Sequence, residues 1–295
     1  RAFVVISDAL RYEVASELSE RIVRTTKGTA ELESMQAVFP SITKFGMAAL
    51  LPGKSISVND GMDVLVDGNP TRSTVERNAI LNATLKASVA IQYNDLLNMK
   101  KDERRELVAG KDVIYIYHNS IDAIGDKAPT ESKVFDACET AIQELSGILR
   151  IIVNELSGTN IFITADHGFL YKRHALAESD KIPNTAPKTA VVNRRFIVDA
   201  DPIAQPGVAS LPMATVLNTK TNTLTVSYGQ QQRVQGCWRR RQLRPRRLQP
   251  AGDDRACAGR ADGERPHGDH YRAADAGEHF EEDHEPDHRA GLYAE

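Results

Sequence analysis

An apolar run that ends in metal-binding side chains is the most informative feature of the sequence. Residues 160–164 are rich in β-branched and aromatic side chains, and Asp166, His167 and Gly168 follow almost at once. A buried parallel strand delivers the residues after it to the carboxyl edge of its sheet, where ligand sites form in α/β proteins. Carboxylate and imidazole together are ligands typical of Zn²⁺ or Mn²⁺. A capping Asp beside a surface His is the alternative, but the preceding strand and the following glycine favour a metal site.

Two other predicted strands end in the same way. Residues 1–7 form an apolar run that leads into Asp8, and residues 113–117 lead into a loop that carries Asp122 and Asp126. Two carboxylates four residues apart around a glycine can chelate one cation, although such a segment by itself is also typical of an ordinary acidic turn. Three strand ends that offer oxygen and nitrogen ligands predict a metalloenzyme.

A hydroxyl pair lies just before a predicted helix. Ser41 and Thr43 follow Pro40 and stand at the start of a helix predicted over residues 44–51. An anion near the amino terminus of that helix would meet the positive end of the helix dipole. A metal-bound Thr43 oxygen could act there as a nucleophile. Helix capping, a common role of Ser and Thr, is the alternative.

Predicted strands and helices alternate along the chain. Apolar residues recur at helical spacing in some segments and form short β-branched runs in others. The predictions are helices over residues 9–25, 44–51, 73–85 and 131–156, strands near 1–7, 34–38, 88–93, 113–117 and 160–164, a hairpin over 60–72, and β-type segments at 189–198 and 223–228. This order requires right-handed crossovers, and it predicts an α/β protein with a mostly parallel sheet.

The bulk composition excludes several classes of protein. The chain has 295 residues, of which 41% are hydrophobic, so it can bury a substantial core. A net charge of -3 provides no global field for nucleic acid or an anionic membrane. Three cysteines without paired spacing predict neither a disulfide framework nor a zinc ribbon. Without a membrane-spanning run or a secretory signal, we expect a cytoplasmic protein with no membrane association. Because the chain opens inside a strand without a methionine, we also expect a piece of a longer protein.

Four segments of the sequence resemble the PglZ branch of the alkaline phosphatase superfamily. They stand in the family's order within residues 1–235, and they are residues 5–13, 39–50, 117–122 and 164–169. The resemblance implies a three-layer α/β/α fold of alkaline phosphatase type around the mostly parallel sheet. It also implies a metal-dependent phosphatase or phosphodiesterase.

The resemblance further implies two divalent metal ions, with Zn²⁺ favoured and Mn²⁺ or Mg²⁺ as alternatives. The implied ligands are Asp8, Asp166, His167 and the Thr43 oxygen for one cation, and Asp122, Asp126 and a later histidine for the other. Thr43 would attack phosphorus and form a phospho-threonine, which water would then hydrolyse. Many relatives have His where this chain has Asp126. A carboxylate oxygen is a chemically harder ligand than an imidazole nitrogen, so this difference weakens the choice of zinc for the second site. His118 is expected to support the ligands from behind.

The family also sets expectations about partners. PglZ proteins belong to BREX phage-defence systems, so the resemblance implies other BREX defence proteins as partners and a phosphate-ester substrate such as a nucleotide or nucleic acid. A rival interpretation is a catalytically degenerate phosphatase fold that serves as a scaffold in a multi-protein defence complex. A third is nucleic-acid binding through the arginine cluster at residues 239–247, which the acid-rich stretch after it opposes.

The end of the chain differs in composition from the rest. Residues 237–295 contain no Ile, Val, Lys, Thr, Ser, Asn or Met, and they hold five of the eight histidines. We therefore predict a catalytic domain over residues 1–236, itself expected to be incomplete, and an anomalous Arg/Asp/His-rich tail over residues 237–295. A nucleic-acid patch, a histidine-rich metal site and a disordered terminus are alternatives. We favour a frame-shifted tail, which would remove the later histidine ligand and impair activity.

The frame-shift hypothesis can be tested on the gene. With GC-rich codons for residues 240–247, a shift of one base gives Gly-Gly-Asn-Tyr-Val-His-Gly-Gly, which contains a histidine. We expect the nucleotide sequence that encodes residues 228–260 to contain a break in the reading frame. Sequencing that stretch is the measurement, and an unbroken frame that encodes the printed residues would refute the hypothesis.

Overall fold

Strands and helices alternate along the chain in the structure, which is a computed structural model. It describes residues 1–59, 62–125, 133–169, 181–182, 185–188, 190–193, 196–217, 224–229, 233–234 and 289–294. The strands are β1 (Ala2–Ser7), β2 (Thr29–Ser34), β3 (Ile56–Val58), β4 (Val64–Val66), β5 (Asn69–Pro70), β6 (Ser88–Gln92), β7 (Val113–His118), β8 (Asn160–Thr164), β9 (Lys181–Ile182), β10 (Val191–Val192), β11 (Ile197–Asp199), β12 (Val208–Pro212), β13 (Thr225–Gly229), β14 (Arg233–Val234) and β15 (Arg289–Ala294). The helices are α1 (Tyr12–Thr25), α2 (Thr43–Ala49), α3 (Thr74–Thr84), α4 (Tyr93–Asn98), α5 (Lys101–Val108), α6 (Ser120–Gly125), α7 (Val134–Leu156) and α8 (Met213–Leu217).

Six parallel strands form the central sheet, in the order β2-β15-β8-β1-β7-β6. Strand β1 lies between β8 and β7, with Ser7 opposite His118 and Ile6 opposite Thr164. This register brings the carboxyl ends of three strands to one edge of the sheet, where α/β proteins place their ligand sites. The α/β fold with a mostly parallel sheet that the sequence predicts is confirmed.

Successive side chains of β1 face two different helical layers, as the pleat of a strand requires. Phe3 and Val5 belong to a large apolar cluster that includes buried residues of α1 and α7. Ile6 packs instead with Met47 of α2 and with Tyr117 on the neighbouring strand. Helices therefore cover both faces of the sheet, and the layer order is α/β/α.

Helix α7 shows how the apolar pattern selects its partner. Its buried side chains recur every three or four residues, so they form one stripe that faces the sheet. They are Val134, Ala137, Cys138, Ala141, Ile142, Leu145, Ile148, Leu149, Ile152 and Leu156. Full burial of each Leu or Ile side chain stabilises the fold by about 1.5–3 kcal/mol. This helix is accordingly a rigid support for the ends of the strands that it covers.

Smaller β elements surround a second apolar cluster. An antiparallel sheet has the order β10-β11-β13-β12, and β3, β4 and β5 form another in which β4 and β5 pair as a hairpin. Phe45 of α2 is buried in the same cluster as Val64 and Val226. The predicted hairpin and the two β-type segments are confirmed. No helix in the described part of the chain combines the length and the apolar character that crossing a bilayer requires.

Three segments depart from the sequence-based expectations. Asp122 lies in helix α6, Ser120–Gly125, where a loop was expected after β7. The strand predicted near residues 34–38 lies earlier, as β2, because Ala30 and Leu32 alternate with exposed neighbours and pack against the large cluster. Within the predicted tail, Arg289–Ala294 form β15 between β2 and β8. Residues 235–288 lie outside the described part of the chain, so the domain division at residue 236 stays a prediction.

Candidate metal centre

Three strand ends bring Asp8, Asp122 and His167 together. One ligand atom from each lies within 4.8 Å of those of the other two. Asp8 directly follows β1, Asp122 lies in α6 just after β7, and His167 lies just after β8. Asp8 and His167 are each 3% exposed, and Asp122 is half-buried. The group contains Asp8 and His167 of the first predicted ligand set and Asp122 of the second.

Asp166 joins this group through its second oxygen. Asp166 Oδ2 is 3.4 Å from His167 Nε2, and Asp8 Oδ1 is 3.5 Å from the same nitrogen. Asp166 Oδ1 accepts hydrogen bonds from the backbone N–H groups of Ala9 and His167, at 3.2 and 2.9 Å. Asp8 Oδ1 and Asp166 Oδ2 are buried and have no hydrogen-bond partner within the described part of the chain. A buried polar atom without a partner costs about 1–3 kcal/mol, and one cation could satisfy both oxygens at once.

A threonine hydroxyl completes the group. Thr43 Oγ1 is 3.0 Å from His167 Nε2, and His167 Nδ1 is 2.8 Å from the carbonyl oxygen of Gly168. Because a carbonyl can accept but not donate, Nδ1 carries a proton, and in the neutral ring Nε2 presents its lone pair. The lone pair accepts the Thr43 hydroxyl proton in this arrangement, and it is also the electron pair that a metal would use.

Gly46 allows helix α2 to approach the loop that carries Asp166. A Cβ atom at position 46 would lie 2.2 Å from the carbonyl oxygen of Asp166. The same short helix begins at Thr43, so this close approach places the hydroxyl beside His167. The sequence-based analysis assigned Gly46 no role. Its signal was a glycine inside a predicted helix, which often marks a close backbone contact.

Ala9 holds a left-handed conformation directly after Asp8. Its φ angle is 64°, and its side chain is 1% exposed. This conformation costs a residue with a Cβ roughly 1–2 kcal/mol. In this conformation the Ala9 N–H group donates a hydrogen bond to Asp166, so the turn links Asp8 to Asp166. Such backbone strain is concentrated at functional sites, where the surrounding structure maintains it.

The electrostatics of the site favour a protonated Asp8. Burial raises the pKa of the Asp8 carboxyl to about 9, and the negative charges of Asp166 and Asp122 add to this effect, while Arg77 opposes it. At neutral pH the carboxyl therefore retains a proton unless another cation takes its place. Since metal ligands must be deprotonated, a metal that binds here would release that proton.

Arg77 is a buried cation that sequence reasoning missed. Its guanidinium donates to the backbone carbonyls of Thr71 and Arg72, at 2.8 and 3.2 Å, and lies 4.9 Å from the centre of the Tyr117 ring. Only 9% of the residue is exposed. Nothing in the linear sequence distinguishes it from an ordinary helical arginine, because the Tyr117 ring approaches it only in the folded chain.

His118 lies behind the group and does not enter it. Its Nδ1 is 2.9 Å from Ser7 Oγ, and its Nε2 is 2.9 Å from Glu144 Oε2. Burial lowers the pKa of His118, and Glu144 opposes this shift. Glu144 was missed in the sequence, although its spacing from Ala141 and Ile148 places it on the apolar stripe of α7. A carboxylate on such a stripe is a signal that could have identified it.

Part of the second predicted ligand set lies outside the described residues. Asp126 lies outside the described residues, and so does every histidine of the tail. The described part of the second set is Asp122. Its proximity to Asp8 and His167 shows where the predicted sites would adjoin, and the role of Asp126 stays a prediction.

A matched pair of glycine substitutions tests the approach of α2. Gly46→Ala should destabilise the protein by about 1–3 kcal/mol, because overpacking forces α2 away from Asp166. Gly147→Ala is the control: position 147 of α7 has open space around the added Cβ, and alanine should stabilise the helix there by about 0.5–1 kcal/mol. Urea unfolding measures both changes, and equal signs for the two variants would contradict the proposed close contact.

The pH dependence of stability tests the buried carboxyl. A group whose pKa is raised on folding stabilises the fold at low pH and loses that contribution as pH rises through its folded pKa. The metal-free protein should therefore lose stability between about pH 4 and pH 9. Asp8→Asn should flatten this decline, because the amide resembles the protonated carboxyl and can donate to Asp166.

Thermal unfolding across that pH range with a chelator present provides the measurement. Asp112→Asn is the control, since it removes an exposed aspartate before β7. If Asp8→Asn and Asp112→Asn have the same pH profile as the unmodified chain, the raised pKa of Asp8 is wrong.

The fold has counterparts among solved structures. Two structures of murine ectonucleotide pyrophosphatase/phosphodiesterase 5 resemble this chain with TM-scores of 0.52 and 0.50, each at 10% sequence identity and over 79% of this chain. They are covered over 80% and 79% of their own lengths. The second is an inactive threonine-to-alanine variant in complex with AMP. At this identity the similarity shows the fold.

Sequence relatives are much closer. The chain is 44% identical over 217 residues to the alkaline phosphatase-like protein PglZ of Bacillus cereus (strain H3081.97). This alignment covers 74% of this chain and 25% of that protein. It is 46% identical over 202 residues to the alkaline phosphatase-like protein BrxZ of Escherichia coli O9:H4 (strain HS). This second alignment covers 67% of this chain and 23% of that protein. The chain thus matches about a quarter of the length of these curated relatives.

The family comparison agrees with these relatives. A model of the BREX system PglZ alkaline phosphatase-like domain matches residues 1–235. That range includes all the strand ends that form the acidic group, and it stops where the composition of the chain changes. The chain therefore belongs to the PglZ family of alkaline phosphatase-like BREX proteins.

Proposed function

We propose that this chain is the catalytic part of a metal-dependent phosphohydrolase that cleaves phosphate monoesters or diesters, with Thr43 as its nucleophile. Two divalent cations, with Zn²⁺ favoured, would be held by the acidic group. The ligands would be Asp8, Asp166, His167 and the Thr43 oxygen for one ion, and Asp122 with Asp126 for the other. This proposal rests on the grouping of these side chains and on the membership of the PglZ family.

One observation carries the proposal. Asp8 Oδ1 and Asp166 Oδ2 are buried oxygens without hydrogen-bond partners in the described structure, and both lie within 3.5 Å of His167 Nε2. A structural ion pair or a cap would satisfy these oxygens with protein donors. Oxygen atoms that face an imidazole lone pair at this spacing form a donor set suited to a zinc or manganese ion.

The described residues prepare the nucleophile. When bound, the cations would neutralise phosphate oxygens and lower the pKa of the attacking hydroxyl. The Nδ1–H bond to Gly168 fixes the His167 ring, so that Nε2 faces Thr43 Oγ1. Close contact between α2 and the Asp166 loop holds the hydroxyl at the mouth of the group. Burial of Asp8 and Asp166 excludes water and strengthens each electrostatic contact.

The proposed substrates are phosphate esters of nucleotides or nucleic acids. The murine phosphodiesterase that shares this fold was solved as an inactive threonine variant with AMP bound. The family model that matches this chain is described as a BREX system domain, which supports other BREX defence proteins as partners. Nucleotide esters are therefore the first compounds to test on this chain.

A scaffold function is the second candidate, and one observation favours it. Within the described residues, the second predicted ligand set contributes Asp122 to the acidic group, and the family match ends at residue 235. A chain without a histidine for the second ion would bind that ion weakly, since the loss of even a supporting residue costs roughly 10- to 100-fold in metal affinity. Such a chain would be impaired as an enzyme, and would keep its fold as a partner in a defence complex.

Replacement of the proposed nucleophile separates the two functions. Thr43→Ala should reduce hydrolysis of a chromogenic phosphodiester at least about 1,000-fold, because loss of a nucleophile removes the covalent route. Thr43→Ser should retain part of the activity. Circular dichroism should show that both variants keep the fold.

Thr140→Ala is the matched control for this test. Thr140 is exposed on α7, and its hydroxyl donates to the Asp136 carbonyl within the same helix. Its activity should equal that of the unmodified chain. Activity that persists in Thr43→Ala would contradict the nucleophile, and a fully metal-loaded chain without any turnover would favour the scaffold.

A further inference from the structure

A partly buried hydrogen-bonded cluster lies directly behind the acidic group. It consists of Ser7, His118, Ser120 and Glu144, here called the His118 cluster. The His118 ring is fully enclosed, with Ser7 Oγ 2.9 Å from Nδ1 and Glu144 Oε2 2.9 Å from Nε2. Ser120 Oγ donates to the same Glu144 oxygen. The edge of the Tyr93 ring packs against the imidazole, with the two ring centres 4.9 Å apart.

The partners of His118 determine where its protons lie. A carboxylate can only accept, so His118 Nε2 donates to Glu144. The opposite nitrogen then accepts the hydroxyl proton of Ser7. Glu144 also accepts from Ser120, and one carboxylate oxygen thereby fixes an imidazole and a hydroxyl. A buried network in which each described member has a partner is rigid, whereas loss of one member leaves the others unsatisfied.

The cluster is connected to two of the proposed ligands through the backbone. Ser7 immediately precedes Asp8, and the Asp8 N–H donates to the His118 carbonyl at 2.8 Å. Ser120 begins helix α6, which carries Asp122 one half-turn later. The ring and the carbonyl of His118 therefore hold the end of β1, while Glu144 holds the start of α6.

The fold explains why this position can act on the site. Ser7 and His118 are opposite each other in the parallel ladder between β1 and β7, on the face that α7 covers. Glu144 extends from α7, whose apolar stripe anchors it to the sheet. One carboxylate on a rigid helix that hydrogen-bonds to both His118 and Ser120 can set the distance between the segments that carry Asp8 and Asp122.

We propose that Glu144 is a positioning residue that acts through His118 and Ser120 to set the separation of the Asp8 and Asp122 carboxylates, and so sets the metal affinity of the site. The inference rests on the proposed function, because it assumes that these carboxylates bind a divalent cation. It adds to that function a helix α7 residue that lies outside the ligand group.

The proposed role differs from a simple contribution to stability. If the His118 cluster only stabilises the fold, its loss lowers the melting temperature but leaves the metal affinity of the folded protein unchanged. If it positions the ligands, the affinity falls even at temperatures where the variant is fully folded. Metal affinity measured on folded protein is thus the informative quantity, and hydrolysis is a second readout.

The experiment compares Glu144 variants with a control on the same helix. Zn²⁺ affinity is measured by competition with a fluorescent chelator, on the full chain, at a temperature where circular dichroism shows each variant folded. Glu144→Ala should bind zinc about 10- to 100-fold more weakly, as is typical when a supporting residue is lost. Glu144→Gln should lose less, because its amide oxygen still accepts from His118 and Ser120.

Glu139→Ala is the matched control. Glu139 is also on α7, and it pairs with Arg21 at 2.7 Å on the exposed side of the helix. Its removal changes the charge of the helix equally and should leave zinc affinity unchanged. A similar loss in Glu139→Ala and Glu144→Ala would overturn the inference, because the effect would then come from charge alone.

A double substitution tests whether the effect passes through the imidazole. Ser7→Ala removes the hydroxyl on the other side of the ring. If Ser7 and Glu144 both act through His118, the combined loss of affinity should be smaller than the product of the two single losses. If zinc affinity is unchanged in Glu144→Ala, the inference about Glu144 is overturned and the proposed function is not. Failure of the unmodified chain to bind zinc overturns the proposed function and the inference with it.

Discussion

The structure depends on holding the carboxylates of Asp8 and Asp166 close together and out of water. Burial, and then the negative charges of Asp166 and Asp122, disfavour the charged form of Asp8, which is why the pKa of Asp8 rises. Parallel ladders on both sides of β1, two N–H donors to Asp166 Oδ1 and the absent side chain at Gly46 maintain this arrangement. A cation bound here would convert the repulsion into attraction, and it would couple metal binding to folding stability.

The sequence predicts the strands with long apolar runs well, and it predicts β2 and β15 poorly, for a physical reason. Strands β1, β7 and β8 are covered on both faces, so nearly all their residues are apolar and the runs are easily recognised. In β2, the residues that pack against the core are Ala30 and Leu32, so its position was misplaced by several residues. For β15 the apolar pattern is weaker still. The backbone N–H and C=O groups of β2 and β8 can pair with any strand that fits between them, and this pairing does not depend on that strand's side chains.

The site divides in the same way between what is local in the chain and what is not. The rule that ligands follow parallel strands placed Asp8, Asp122 and the Asp166–His167 pair at one edge, and the structure brings them together. Arg77 and Glu144 could not be assigned a place there, because each approaches from a helix whose packing is decided by apolar contacts far along the chain, Ile80 of α3 in one cluster and Leu145 of α7 in another. Prediction from strand ends therefore finds the residues that meet at this edge of the sheet, while the residues that surround them require the packed structure.

The two helical layers supply different kinds of support to the same carboxylate. On one face, Arg77 lies over Tyr117 and its positive charge opposes the rise in the pKa of Asp8. On the other face, His118 binds Ser7 and fixes the backbone at Asp8 without adding a charge, since burial keeps the ring neutral. Charge compensation acts over several ångströms and tolerates small displacements, whereas hydrogen bonds require defined distances and angles. Asp8 is thus stabilised electrically from one layer and positioned from the other, and this arrangement requires that β1 lie in the middle of the sheet.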